Sequence, residues 1–334
     1  MKSLSTVNKK IYPIGLILLI MLYGLIMLLS SLGLLNSYHF SVLRTVLINI
    51  VLATSLNITV GVLGQITLGH AGFMSLGAYS AALFMKSGLV LGLPGFFISL
   101  VLAGIVASMV GIIIGIPALR LKGDYLAIIT LAFGEIIRVL IEYFDFTGGA
   151  QGINAIPTTK NFTVFYIVTV LAVVLMYSVM TSRHGRAVLS IRDDEIASVA
   201  SGINTTYYKT FAFAVSAFFA GIAGAMYAQN IGVIDAKVFG YNKSFDILVM
   251  VVLGGMGSFT GSILSAIALT VIPEALRGFA DYRMIVYSLV LILIMIFKPG
   301  GLLGRNEFSL TNLINRFKNN QKKKGVYNDQ SSRM

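Results

Sequence analysis

Apolar runs near the roughly 20 residues that a helix needs to cross a bilayer recur along this chain, and they restrict its fold class more than any other feature. They lie at 11–35, 41–62, 72–86, 95–118, 124–143, 162–181, 208–229, an interrupted 244–275, and 281–298. In hydrocarbon the backbone must satisfy its own polar groups, so only helices and closed barrels span it. A barrel would show ten-residue alternating segments, and those are absent. With 57% hydrophobic and 11% charged residues and a mean hydropathy of +0.87, the 334 residues read as an all-α polytopic membrane protein. About 8–10 transmembrane helices are expected, with glycine-rich broken or re-entrant segments, in one integral domain at 11–298.

Charge fixes the orientation. Lys2, Lys9 and Lys10 precede a first run too long for a signal-peptide core and followed by no small-residue cleavage site, so 1–10 reads as a cytoplasmic N-terminus before a retained span. From Lys298 the chain carries eight Lys or Arg against Glu307 and Asp329, which makes 299–334 a basic cytoplasmic tail, expected to be disordered. Lys322, Lys323 and Lys324 suit anionic lipid rather than nucleic acid. Nine simple crossings cannot leave both ends on one side, so one segment must be broken. LGGMGSFTG at 253–261 has four glycines in nine residues within an apolar stretch. If the chain turns back there, 17 of the 25 Lys and Arg lie inside, against 11 without the break. The break is therefore preferred, and it makes the polar loop at 183–207 cytoplasmic.

A second break, GVLGQITLGHAG at 61–72, follows the second span. Both breaks contain Val-Leu-Gly, at 62–64 and 252–254, as internal repeats of transporter halves do, although three shared residues carry little weight. Unwound backbone at membrane depth is tolerated only against protein or a watery cavity. Gly64, Gly69, Gly72, Gly254, Gly255, Gly257 and Gly261 are thus candidate broken-helix positions, with close helix packing as the plainer reading. For Gln65 and His70, a solute path and packing are equally open. In the span at 124–143, Glu135, Arg138 and Glu142 fall on one helical face and can neutralise one another. Intramembrane charge marks a candidate path, and a structural ion cluster is the alternative. The outward loop FTGGAQGINAIP at 146–157 is too glycine-dense to be helical throughout and suits a gate or a docking ledge for an external partner, with an ordinary connecting loop as the equal alternative.

The densest charge lies at 185–198, where Gly185, Arg186 and Arg192 precede Asp193, Asp194 and Glu195. Ile196, Val199 and Ile203 follow at helical spacing, and Gly202 is a plausible stop. A short amphipathic helix is expected, seated in a groove of a soluble partner or lying on the membrane. No P-loop occurs, so the chain cannot hydrolyse ATP itself. The absence of cysteine excludes thiol catalysis and thiolate metal sites. His39, His70 and His184 are far apart, with no metal or nucleophile–base spacing, and this argues against an intramembrane enzyme.

Together, GQITLGHAGFMSLGAY at 64–79, LRLKGDYLAIITLAFGEIIRVL at 119–140, TGG at 147–149, GRAVLSIRDDEIASVASGIN at 185–204, LVMVVLGGMGSFTGSILSA at 248–266 and KPGGLLG at 298–304 resemble the permease subunits of branched-chain amino-acid ABC importers. The likeness is to the second, longer permease of the pair. It implies a cytoplasmic-membrane heterodimer with a second permease subunit, two cytoplasmic ATPase subunits that bind the ATP, and an extracytoplasmic solute-binding protein; it implies no cofactor in this chain. The segment at 185–204 resembles the coupling helix that enters a cleft on the ATPase, and Glu195-Ile196-Ala197 with Gly202 seven residues on departs from the family's short Glu-Ala-Ala…Gly form. Motion of that helix would tilt the spans at 162–181 and 208–229. A permease of this family for another small solute, or a proton-coupled secondary transporter using Glu135 or His70, is the alternative.

Overall fold

A computed structural model describes residues 11–90, 92–121 and 123–279, together with 288, 289, 292, 296–298, 300–302 and 304. The expected termini at 1–10 and 305–334 and most of the expected last span lie outside the described residues. Helices run in the order α1 Ile11–Ser31, α2 Ser37–Asn57 continued by a π turn at Ile58–Val62, α3 His70–Lys86, α4 Gly92–Ala118, α5 Asp124–Tyr143, α6 Phe162–Thr181, α7 Arg183–Asp193, α8 Glu195–Ala200, α9 Thr205–Ile231, α10 Tyr241–Gly254 and α11 Phe259–Ala275. One compact unit covers His39–Arg305, and α1 belongs to a separate one.

Among the described residues four helices are long and apolar enough to cross a membrane: α2 with its π turn, α4, α6 and α9. The others explain the larger number expected from sequence. α5 is 20 residues long but carries Asp124, Glu135, Arg138 and Glu142. α10 has 14 residues, or ~21 Å at 1.5 Å per residue, against a hydrocarbon core of ~30 Å. It is a half-helix. Several helices extend a few residues past their apolar stretch because polar caps end them. Asn204 Oδ1 accepts from Tyr207 N–H, and Gly232 closes α9 at φ +82°.

The core is built where α3, α4 and α9 pack through small residues. A methyl group on Gly77 would overlap the Gly221 backbone, and one on Gly221 would stand 2.5 Å from Ala103 O. Without a hydrophobic force between helices in lipid, such backbone approach is what holds them, supplemented by interhelical hydrogen bonds. Ser216 Oγ donates to Ser55 O at 2.7 Å, and Gln229 Nε2 to Ser99 Oγ at 2.8 Å. Arg44 is buried near the C-terminus of α9, donating to Asn230 Oδ1 at 2.6 Å and Lys160 O at 2.9 Å. Its charge is favoured there by the negative end of the α9 dipole.

Both glycine breaks are present. In the first, α2 loosens into the π turn, and residues 63–69 then run without regular structure to α3. In the second, the chain reverses at 255–258, and Ser258 Oγ accepts from Gly261 N–H at 3.1 Å to start α11. α11 returns against α10: Gly254 meets Gly261 backbone to backbone, and Ser265 Oγ donates to Met250 O.

Candidate functional site

The segment expected as one amphipathic helix is two. Asp194 leaves helical geometry, at φ −157° and ψ 109°, and its Oδ1 accepts from Ile196 N–H at 2.9 Å and Ala197 N–H at 3.0 Å. It caps α8, and the short polar side chain competes with continuation of α7. α7 folds back on α6 because Gly185 lies against the Met180 backbone, where a side chain would overlap, and Arg186 Nη1 donates to Thr181 O at 3.1 Å. Val188 and Ile191 are buried beneath it.

α8 is tied at both ends. Glu195 Oε1 accepts from Lys209 Nζ at 2.7 Å, and the lysine side chain is only 5% exposed. At the other end Ile203 N–H reaches Ser198 O and Gly202 N–H reaches Val199 O, both at 3.0 Å, with Gly202 at φ +81°. That is a Schellman closure. Held this way, Ile196 is 82% exposed and Val199 57% exposed. The charged rim differs from the sequence expectation, because Glu195 and Arg192 engage the protein itself while Asp193 stays exposed. Asp194→Ala is expected to cost α8 about 1 kcal/mol. Amide hydrogen exchange over 196–201 should quicken accordingly, and Asp194→Asn should not show the change.

Three remote stretches meet beside this helix pair. Arg192 Nη1 donates to Gly61 O at 2.8 Å, and the arginine stem packs on Gly64, where a methyl group would stand 2.5 Å from its Cγ. Asn57 Oδ1 accepts from Gly257 N–H at 2.9 Å. A side chain on Gly61 would overlap both Asn57 Oδ1 and the Gly257 backbone, so the two breaks cross at glycine-to-glycine distance. From the C-terminal side, Leu302 N–H donates to Leu253 O at 2.7 Å, and Gly255 lies against Gly304. Asn57 Nδ2, Gln65 Oε1 and Arg192 Nε are buried and have no hydrogen-bond partner among the described residues.

The strap at 63–69 then crosses α5. Leu68 N–H donates to Thr130 Oγ1 at 3.0 Å, Gly69 abuts Thr130 O, and a methyl on Gly72 would stand 2.9 Å from Gly134 Cα. His70 is 2% exposed, with Nε2 2.8 Å from Ser55 Oγ, and so sits inside the helix packing in this conformation. Further along α5, Arg138 joins Glu135 at 2.7 Å and Glu142 at 2.9 Å. The free oxygen of Glu135 accepts from Tyr241 N–H at 2.7 Å, which places a carboxylate on the N-terminus of the half-helix α10. These three side chains are 22–30% exposed in the isolated chain. Above α5, Thr147 Oγ1 reaches Ile141 O and Phe144 O at 2.5 Å, and Ile153 pairs with Ile234. The resulting ledge presents Tyr143, Phe144 and Phe146. Among the described residues no group of three or more His, Cys, Asp or Glu could hold a metal ion.

A family model described as the permease component of the branched-chain amino acid transport system matches residues 38–297. The chain belongs to this family. It is 36% identical to the high-affinity branched-chain amino acid transport permease protein LivM of Escherichia coli, in a match covering 90% of this chain and 76% of that protein. The Salmonella typhimurium LivM gives the same figures. The LivH permease of Escherichia coli is 28% identical, over 74% of this chain and 88% of its own length. No solved structure matches the chain significantly. This permease is therefore a multi-pass membrane transport protein, related to both LivM and LivH.

In this permease the candidate glycines of both breaks lie at close approaches, to backbone at Gly69, Gly72, Gly254, Gly255, Gly257 and Gly261 and to the Arg192 stem at Gly64, and the charge cluster at 185–198 adjoins the crossing of the breaks. Gln65 follows Gly64 in the first break, its N–H donating to Thr59 O at 3.0 Å, and His70 is buried against Ser55. The residues that sequence reasoning missed are Asn57, Thr130, Lys209, Tyr241 and Leu302. Their partners are distant in the chain, and only the polar character of Asn57, Thr130 and Lys209 in apolar surroundings could have singled them out.

Proposed function

We propose that this permease pairs with a second permease subunit and imports leucine, isoleucine and valine across the cytoplasmic membrane, driven by two ATPase subunits and fed by an extracytoplasmic solute-binding protein. The observation that carries this reading is α8, a short helix braced at both ends that exposes Ile196 and Val199. A braced apolar tip suits a groove on a soluble partner. The excess of Lys and Arg on that side supports cytoplasmic termini and a cytoplasmic tip. Ionised groups do not face hydrocarbon, so the edge of α5 with Glu135, Arg138 and Glu142 is assigned to the path between the permeases. The aromatic ledge above it is assigned to the solute-binding protein. The binding protein sets specificity, because tight binding along the path would slow release. ATP-driven closure of the ATPases moves α7 and α8, and the attached α6 and α9 tilt to exchange access.

Uptake of the three labelled amino acids, in cells expressing this chain with its genomic neighbours, tests the reading. Ile196→Asp and an inactive ATPase partner should each abolish uptake while this subunit stays in the membrane. Uptake that survives ATPase loss and collapses with an uncoupler would instead establish proton coupling. ATP-dependent uptake of some other solute would overturn the substrate alone.

A further inference from the structure

We propose that Arg192 is the positioning residue that carries movement of the α7–α8 pair to the crossing of the two glycine breaks. The inference rests on the reading of α8 as the helix that meets an ATPase, and it adds a route from that helix into the membrane domain. Arg192 lies four residues from the exposed Ile196, at the end of a helix whose Val188 and Ile191 are buried. Displacement of α8 therefore moves the arginine together with α7.

At its far end the guanidinium touches both breaks. Nη1 donates to Gly61 O at 2.8 Å, and a methyl group on Gly257 would lie 3.4 Å from the same nitrogen. The Gly61 carbonyl needs this donor for a local reason. In a continuing α-helix the Gln65 N–H would serve it, but that N–H turns to Thr59 O at 3.0 Å instead. Arg192 takes up the carbonyl that the break releases. Its stem also fills the space over Gly64. The contact thus spans 131 residues of sequence and joins a cytoplasmic element to the one place where both unwound segments meet.

The guanidinium is also held at its own helix. Arg192 Nη2 donates to Asp193 Oδ1 at 3.3 Å, so the same group that donates to Gly61 O is fastened to the last residue of α7. Asn57 Oδ1 accepts from Gly257 N–H at 2.9 Å, which ties the first break to the second at the same place.

The test uses the complete importer in proteoliposomes, with this chain, the second permease, the ATPases and the binding protein, and compares ATP hydrolysis with uptake. Arg192→Met should keep ATP hydrolysis within about twofold and lower uptake at least tenfold, so that solute moved per ATP collapses. Arg192→Lys should recover part of the uptake, because an ammonium still donates to Gly61 O. Hydrolysis and uptake falling in proportion, or both remaining intact, would overturn the proposal. If Arg192→Met does not assemble, Arg192→Lys decides the matter: a lower solute-to-ATP ratio than wild type supports the relay, and an unchanged ratio refutes it. Wild-type uptake that does not require ATP defeats the proposed function instead, and that appears before any variant is made.

Discussion

Gly61→Val should leave a permease without transport and with its membrane domain strongly destabilised. The first atom of any side chain at this position would overlap Asn57 Oδ1 and the backbone of Gly257. Neither neighbour can give way cheaply. Asn57 holds Gly257 N–H at 2.9 Å, and the strand of chain beyond is fastened by Leu302 to Leu253 at 2.7 Å. Overpacking a core costs about 1–3 kcal/mol where side chains can shift, and here the obstruction is backbone. Separating the breaks also strains the Arg192 bond to Gly61 O, a charge-assisted hydrogen bond of about 1.5–3 kcal/mol. The combined loss is on the order of 3–6 kcal/mol, at the severe end for a single substitution. Gly24→Ala is the matched control, because among the described residues nothing lies within 4 Å of a methyl there. Thermal unfolding in detergent and uptake in cells should both fall for Gly61→Val and stay unchanged for Gly24→Ala. A Gly61→Val permease retaining half of its uptake would refute the crossing as a tight functional junction.

The breaks were legible because glycine density is a direct consequence of backbone meeting backbone. Gly61 has no room for a β-carbon beside Gly257, and Gly254 and Gly261 exclude one from each other. The shared Val-Leu-Gly ends a helical stretch in both places, the π turn at Val62 and α10 at Gly254. The ion triad was legible for a similar reason, since spacings of three and four residues settle which side chains share a helical face. The pairing of distant segments was not legible. Arg192 could have remained on a solvated rim, and its bond to Gly61 depends on how α6 and α7 fold back. Glu195 reads as a partner-facing charge until Lys209, buried on α9, is seen to hold it. The division at Asp194 had a local signal, an Asp three residues before Ala197, but the apolar periodicity running on through Ile196 and Val199 masked it. Glu135 on the start of α10 could not be inferred, because α10 begins after a turn that no periodicity describes.

That last contact gives the ion triad a second consequence. Arg138→Leu should be far more damaging than removal of all three charges. The substitution leaves Glu135 and Glu142 on one face of a membrane helix with no cation between them. A charge left against hydrocarbon costs up to about 2.5–3.5 kcal/mol on insertion scales. Since about 1.4 kcal/mol is tenfold in an equilibrium, the amount of folded Arg138→Leu permease in the membrane should drop at least tenfold. Glu135→Gln, Arg138→Gln and Glu142→Gln combined leave no unpaired charge, and an amide oxygen at 135 can still accept from Tyr241 N–H. The triple variant should therefore reach at least half of the wild-type level. Its uptake distinguishes the two roles open to the triad. With this edge of α5 facing the path, a zwitterionic solute loses the charges that compensate its own, and uptake per molecule of permease should fall at least fivefold. Uptake at the wild-type rate would show that the triad serves only to seat α10 against α5, and the path would then have to be sought along another face.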